Sequence, residues 1–299
     1  MKGFVGRRQL LPILLTKSTG LVSQRLAWPR SVWLQPDFST TSSFHPPTSK
    51  VRERAREVLR KVYLDGVARE LLWASRRILW CLKRKLGRDS RIIDRYFGLH
   101  AIRKLHIGCG HHILSGWLNA DLFPRSAMVV HLDATESFPF RDETFDYIFS
   151  EHMIEHISYS QGSQMLSECY RILKNNGTIR ISTPNLAFLI DLYKEPKSDL
   201  QERYVKWTTD TVLGFAPYDD SVFVINNFVR DWGHQFIYDE KILSACLVKA
   251  GFAKVTRCEL SESYEEALRN LESEQRLPQG FLRLETMTLE GTKLGAGDS

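Results

Sequence analysis

Lys104-Leu105-His106-Ile107-Gly108-Cys109-Gly110 is the stretch that decides the fold. A short apolar run meets a Gly-x-Gly turn, and the carboxylates of Asp121 and Asp133 follow two later apolar runs. Glycine lets the backbone approach a ligand with no Cβ in the way. A carboxylate at the end of a following strand can accept from both hydroxyls of a ribose. A parallel α/β sheet holds a nucleoside with this combination of strand, glycine turn and strand-end carboxylate.

Outward from this stretch the elements alternate. Strands are expected at 105–107, 117–121, 129–132, 145–149 and 178–182. A helix is expected at 163–173, stopped near Gly177, and another at 241–250, stopped by Gly251. Apolar runs at 252–260 and 281–289 read as the last two strands. The alternation predicts an α/β protein with a doubly wound, mostly parallel, seven-stranded sheet. Residues 185–235 break the pattern. They are polar, aromatic-rich and partly helical, and read as an inserted cap at the sheet edge where ligands bind. Phe188, Tyr193, Tyr204, Trp207, Phe215, Tyr218, Phe223, Phe228 and Trp232 would suit an apolar or sugar-faced acceptor, or would form the cap's own core.

The front of the chain has a different character. Residues 1–104 carry 23 Lys+Arg against 7 Asp+Glu, whereas the rest of the 299-residue chain is acidic, within a net charge of +6. A basic front points to a targeting segment, an anionic membrane surface or nucleic acid, or to a solvated face with no partner. The acidic rear is unlike an enzyme that tracks phosphates. Residues 1–49 read as a disordered or targeting extension. Within 1–45 no acid precedes Asp37 and Ser and Thr cluster late, the composition of an organellar transit peptide for mitochondrion or plastid. A cytoplasmic protein with a functionless extension is the other reading. Residues 50–103 read as a basic helical region, apolar on one face through Ala55, Val58, Leu59 and Val62. With Trp73 and Trp80 it could lie on a membrane or pack on the neighbouring domain. The apolar run at 10–15 is interrupted by Pro12 and is too short to span a bilayer. Five cysteines with no C-x-x-C pair argue against a disulfide framework or a cysteine-rich zinc site.

From residue 104 onward the chain resembles the class I S-adenosylmethionine-dependent methyltransferases, and is most similar to their type 11-like group. The resemblance rests on Gly108-Cys109-Gly110, Asp121, Asp133-Ala134, Phe138-Pro139-Phe140, Phe145-Asp146 and Glu155-His156. Tyr170 to Gly177, Ser182-Thr183-Pro184-Asn185 and Ala250-Gly251-Phe252 continue it. Gly116 to Asp121 is similar to the branch found among cell-surface glycan enzymes. Two positions depart from the pattern: His106 stands where an acidic residue is usual, and His112 where a third glycine is common.

The resemblance implies S-adenosylmethionine as cofactor and a methyltransferase domain over 104–299 with the cap at 185–235. Gly108 and Gly110 would pass under the methionyl and ribose portions. Asp121 would accept from the ribose, and Asp133 with the backbone of Ala134 would read the adenine edge. Glu151 and His152 would line the sulfonium side. The acceptor would be a small molecule, a glycan or a lipid-linked group, methylated at oxygen. An oxygen nucleophile must lose its proton, and histidine is a natural base. His234, which closes the cap, is the expected base, and His156 is expected to face the substrate or cap its helix.

His152, Glu155 and His156 also spell H-x-x-E-H, a zinc-protease motif. That motif needs a helix and a third ligand, whereas here it follows a strand, so no metal is expected. Other functions remain open. A Gly-x-Gly turn after a strand also suits a dinucleotide oxidoreductase, but no third glycine opens the helix. His106 would fit a scaffold that keeps the fold without turnover. The rear half lacks the Asn/Asp-Pro-Pro-Tyr/Phe signature of base-amino methylation, so nucleic acid is not the expected partner.

Overall fold

The computed structural model describes residues 87–295, together with Leu71 and Ser75. The expectations for residues 1–49 and for the amphipathic stretch before Gly87 lie outside the described residues. Among the described residues, no helix is long and apolar enough to cross a membrane.

Seven strands form one sheet in the order β3-β2-β1-β4-β5-β7-β6. They are β1 (Lys104–Ile107), β2 (Leu118–Asp121), β3 (Val130–His131), β4 (Phe145–Glu151), β5 (Leu173–Pro184), β6 (Ala253–Cys258) and β7 (Thr286–Thr292). The strands from β3 to β5 pair in parallel, while β7 runs antiparallel between β5 and β6. The expected doubly wound α/β architecture is therefore present, with one antiparallel hairpin at its end. Strands buried on both faces are continuously apolar. Leu105, Ile107, Leu118, Ile148, Phe149, Ile179 and Ile181 are fully or almost fully buried for that reason.

Helix α1 (Arg88–Leu99) covers the start of the sheet, and Tyr96 ties it to β1 by accepting from the Lys104 amide at 2.8 Å. Helix α2 (Tyr159–Ile172) opens on a capping box formed by Ser158 and Gln161, four residues earlier than the apolar spacing placed it. It also stops sooner. Gly177 does not end it but lies inside β5, where a Cβ would stand 2.9 Å from the carbonyl oxygens of Asp146 and Lys174. A glycine needed for close strand approach looks, in sequence, like a helix stop.

Between β5 and β6 come α3 (Leu186–Tyr193), α4 (Asp199–Thr211), α5 (Ser221–Arg230) and α6 (Glu240–Ala250). The first three form the cap. Phe188, Leu192, Tyr204, Val205, Val224 and Phe228 give it an apolar core separate from that of the sheet. Its two ends meet, since the Leu186 amide donates to the Tyr238 carbonyl at 2.8 Å.

The run at 281–289 is not one strand. Its first half is a short helix, α7 (Phe281–Glu285), entered through Gly280 at φ 86°, and β7 begins only at Thr286. A helical turn sends Phe281 into the cap core, 5.1 Å from the Tyr204 ring, where a strand would have alternated it with Leu282.

Candidate active site

The site forms where β1 and β4 lie side by side and their following connections diverge. Ile107 pairs with Ser150, so the turn after β1 and the segment after β4 emerge together at the carboxyl edge of the sheet. Open α/β sheets bind ligands at such a switch point. The cap, which leaves from the end of β5, covers this edge, and between them lies a cavity of about 420 Å³. That volume is in the usual range for a small-molecule site.

The glycine turn forms one wall. Gly108 and Gly110 have φ of 72° and 52°, and the amides of Gly108 and Cys109 both donate to the Ala120 carbonyl. A Cβ on Gly108 would stand 2.4 Å from Met153 Cγ, so this position excludes any side chain on packing as well as on φ. Asp121 closes the turn: its Oδ2 accepts from the Gly110 amide at 2.9 Å and its Oδ1 from Phe123 at 2.7 Å. Each oxygen keeps a second lone pair. His106 is fully buried, with Nδ1 3.2 Å from Asn119 Oδ1, and Asn119 also holds both polar backbone groups of Leu114. The histidine in the usual acidic position thus belongs to a network that shapes the loop. Burial lowers its pKa to about 4, so it is neutral at physiological pH.

The second wall follows β4. Glu151 is buried and faces three partners: the Arg276 guanidinium at 3.3 Å, His112 Nδ1 at 3.5 Å, and the Ser273 amide at 3.3 Å. Burial alone would raise its pKa, but the His112 contact and the Arg276 charge outweigh burial and hold it low. His152 takes a left-handed backbone, φ 46°, and its Nε2 lies 2.8 Å from Thr286 Oγ1. Glu155 and His156 sit in a 3₁₀ turn, Ile154–His156. Burial raises the Glu155 pKa to about 8 and lowers that of His156 to about 3.

The cap supplies the roof. His234 lines the cavity with its ring 4.7 Å from that of His156. Its Nδ1 donates to the Phe228 carbonyl at 2.7 Å, and burial lowers its pKa to about 4. The loop carbonyl therefore fixes the ring with Nε2 bare. Of the nine cap aromatics, Tyr204, Trp207, Phe228 and Trp232 reach the cavity. Tyr193, Phe215 and Tyr218 are exposed on the cap's outside.

One cavity therefore brings together Gly108, Gly110, Glu151, His152, His156 and His234. Asp121, Asp133 and Ala134 are not among its lining residues. Asp133 accepts from the amide and hydroxyl of Thr135, at 3.0 and 2.6 Å, at the end of β3. Ala134 is packed into the sheet core. The residues fit the cofactor in one specific respect: at Gly108 and Gly110 the wall of the cavity carries no side chain, so a ligand can lie close against the backbone.

Sequence reasoning missed Arg276 and Glu285 as site residues, whereas Tyr204 stood among the cap aromatics expected at the acceptor or in the cap core. Tyr204 donates a short hydrogen bond to Glu285, whose carboxyl is raised by burial to about 7. Arg276 arrives through a distant clamp. Arg180, fully buried on β5, binds Glu272 at 2.6 Å and Glu290 at 2.7 Å, and also donates to the Glu259 and Glu262 carbonyls. This clamp fastens the 259–276 segment to the sheet. No local motif marks Arg276. The one available signal was Arg180 itself, a charge in an otherwise apolar strand pattern.

The strand order with its antiparallel β7, and the glycine turn after β1, define a Rossmann-like methyltransferase fold. Residues 105–181 match the family model described as a methyltransferase domain. Over those residues the chain is similar to the methyltransferase domain family. Similar solved structures include an S-adenosylmethionine-dependent methyltransferase from Archaeoglobus fulgidus, 19% identical, covering 70% of this chain and 94% of that one, with a TM-score of 0.38. One from Mesorhizobium loti is 14% identical over 64% and 91% of the two chains, with a TM-score of 0.37. The phosphoethanolamine N-methyltransferase 2 of Haemonchus contortus, in complex with S-adenosyl-L-methionine, is 16% identical over 70% of this chain and 53% of its own, with a TM-score of 0.36. This chain spans about half the length of that enzyme. No curated protein matches the sequence at a significant level.

Proposed function

We propose that the protein transfers a methyl group to a polar small molecule, a free or lipid-linked sugar among the candidates, held beneath the cap. One observation carries this reading: a single cavity runs from the glycine turn to the cap, with His156 and His234 facing it. When bound, S-adenosylmethionine supplies an electrophilic methyl on a sulfonium. Gly108 and Gly110 would hold its methionyl end, and Asp121 and Asp133 its adenosine. Tyr204, Trp207, Phe228 and Trp232 would pack against the acceptor and exclude water. Positioning a nucleophile in line supplies much of the acceleration in a direct displacement. His234 Nε2, the bare nitrogen of a neutral ring, would accept the proton of an oxygen acceptor. Its low pKa makes it a weak base, so transfer from oxygen would be concerted with methyl departure rather than precede it.

Calorimetry with S-adenosylmethionine tests the cofactor half. Asp121→Ala and Gly108→Val should each weaken binding, the first by about 1.5–3 kcal/mol for a lost charge-assisted hydrogen bond. Unchanged affinity in both would remove these residues from the site. Incubating a cell extract with methyl-labelled cofactor and identifying the product by mass spectrometry tests the acceptor half. On that acceptor, His234→Ala should lower turnover about 10²–10⁴-fold, the scale for a general base.

A further inference from the structure

Glu155, His156 and His234 together compose a donor set larger than the single base that the proposed function takes from His234. With an ion bound, His234 Nε2 would be its ligand, so the base role belongs to the ion-free protein. Each offers one ligand atom, and the three atoms lie within 4.8 Å of one another. The geometry points to a binding site for one divalent first-row transition ion, zinc(II) or iron(II) in class, between the β4–α2 connection and the end of the cap.

Four observations carry it. The donor set is two imidazoles and one carboxylate, the composition of open catalytic zinc and non-haem iron centres. Metal-ligating histidines almost always donate their other ring nitrogen to a carbonyl or carboxylate, and His234 Nδ1 does so to the Phe228 carbonyl at 2.7 Å. Ligating carboxylates are in turn hydrogen-bonded, and Glu155 Oε2 accepts from Thr183 Oγ1 at 3.0 Å. The other oxygen, Glu155 Oε1, is fully buried and has no hydrogen-bond partner. It points between two histidines, 3.6 Å from His152 Nδ1 and 3.9 Å from His156 Nε2. A buried carboxyl oxygen with no hydrogen-bond partner is costly to leave so.

The topology also explains how the three come together. The amides of Gln235 and Phe236 both donate to the Glu155 carbonyl, and Gln235 Nε2 donates to the His156 carbonyl. The backbone that carries His234 is thereby pinned to the turn that carries the other two ligands. His156 and His234 line the cavity, so an ion held there keeps open positions on the cavity side. If the cavity is the acceptor chamber, those positions would orient an acceptor oxygen toward the methyl group. That role rests on the proposed function, whereas ion binding does not.

The test uses the full chain, stripped with a chelator and titrated with Zn²⁺, and separately with Co²⁺ read by visible absorption. One ion per chain is expected. His234→Ala and Glu155→Gln should each weaken Zn²⁺ binding by at least about 100-fold. Thr183→Val should weaken it about 10–100-fold, as outer-shell partners do. Circular dichroism and S-adenosylmethionine affinity are measured on the same samples. If Glu155→Gln does not fold, the His234→Ala result decides. Stoichiometric binding that persists unchanged in folded His234→Ala, or no uptake beyond that of a His156→Ala/His234→Ala double variant, overturns the site. Loss of cofactor binding in the unaltered chain would instead count against the proposed function and leave the metal result standing.

Discussion

At the scale of single residues, the site sets buried neutral histidines beside a carboxylate, Glu151, that stays charged. His106 shows the energetic consequence. Its ordinary pKa is 6.5 and its native value is about 4. Between those values the unfolded chain binds a proton that the native protein does not. Stability therefore falls as pH drops through that window. His106→Gln removes this contribution, so the variant should lose less stability than the parent between about pH 6.5 and pH 4, read as thermal midpoint against pH. Equal slopes for the two proteins would show that His106 is not held neutral. The sequence exposed His106 only as a departure from a family pattern. Its purpose depends on Asn119, thirteen residues away on the neighbouring strand, and on burial. Asp121 was legible as a strand-end carboxylate. Its bond to the Gly110 amide was not, because it depends on how the glycine turn curls back over β2. Asp121→Asn should accordingly disturb the turn less than Asp121→Ala.

At the scale of elements, legibility followed periodicity. The parallel strands announced themselves as continuous apolar runs, and β1, β2, β4 and β6 fall within a few residues of where the sequence placed them. Errors arose where two physical causes share one residue type. Gly177 serves strand approach rather than helix termination, and Phe281 serves the cap core rather than a strand face. The clamp between β5 and the 259–276 segment was invisible because its partners are far apart in sequence. It joins Arg180 to Glu272 and Glu290, with all three side chains buried. Removing one partner of a buried ion pair usually costs about 3–5 kcal/mol, because the other charges stay behind. Arg180→Met should lower unfolding stability by that amount in urea titration. A loss below about 1 kcal/mol would mean that water already screens the cluster.

At the scale of the whole molecule, the sheet edge and the cap divide the labour. Trp232→Ala should impair turnover on an identified acceptor while changing S-adenosylmethionine affinity by less than about twofold, since the glycine turn lies on the opposite wall. An equal loss of both would show that the cap also grips the cofactor. Tyr193→Ser, on the cap's outer face, should shift stability by no more than about 0.5 kcal/mol. The cap's presence was readable as a break in alternation, but its contents were not, because helices packed on one another leave no strand-like signature to align. One further consequence lies in the hydrogen bond between Leu186 and Tyr238. The intervening chain departs and returns at a single point, so β5 and α6 keep the same separation whatever lies between them. Closure entropy grows by only about 0.6 kcal/mol for each doubling of loop length. Insertions and deletions within this excursion are therefore nearly free for the sheet, and acceptor preference can drift through whole-segment exchange while the cofactor platform stays constant.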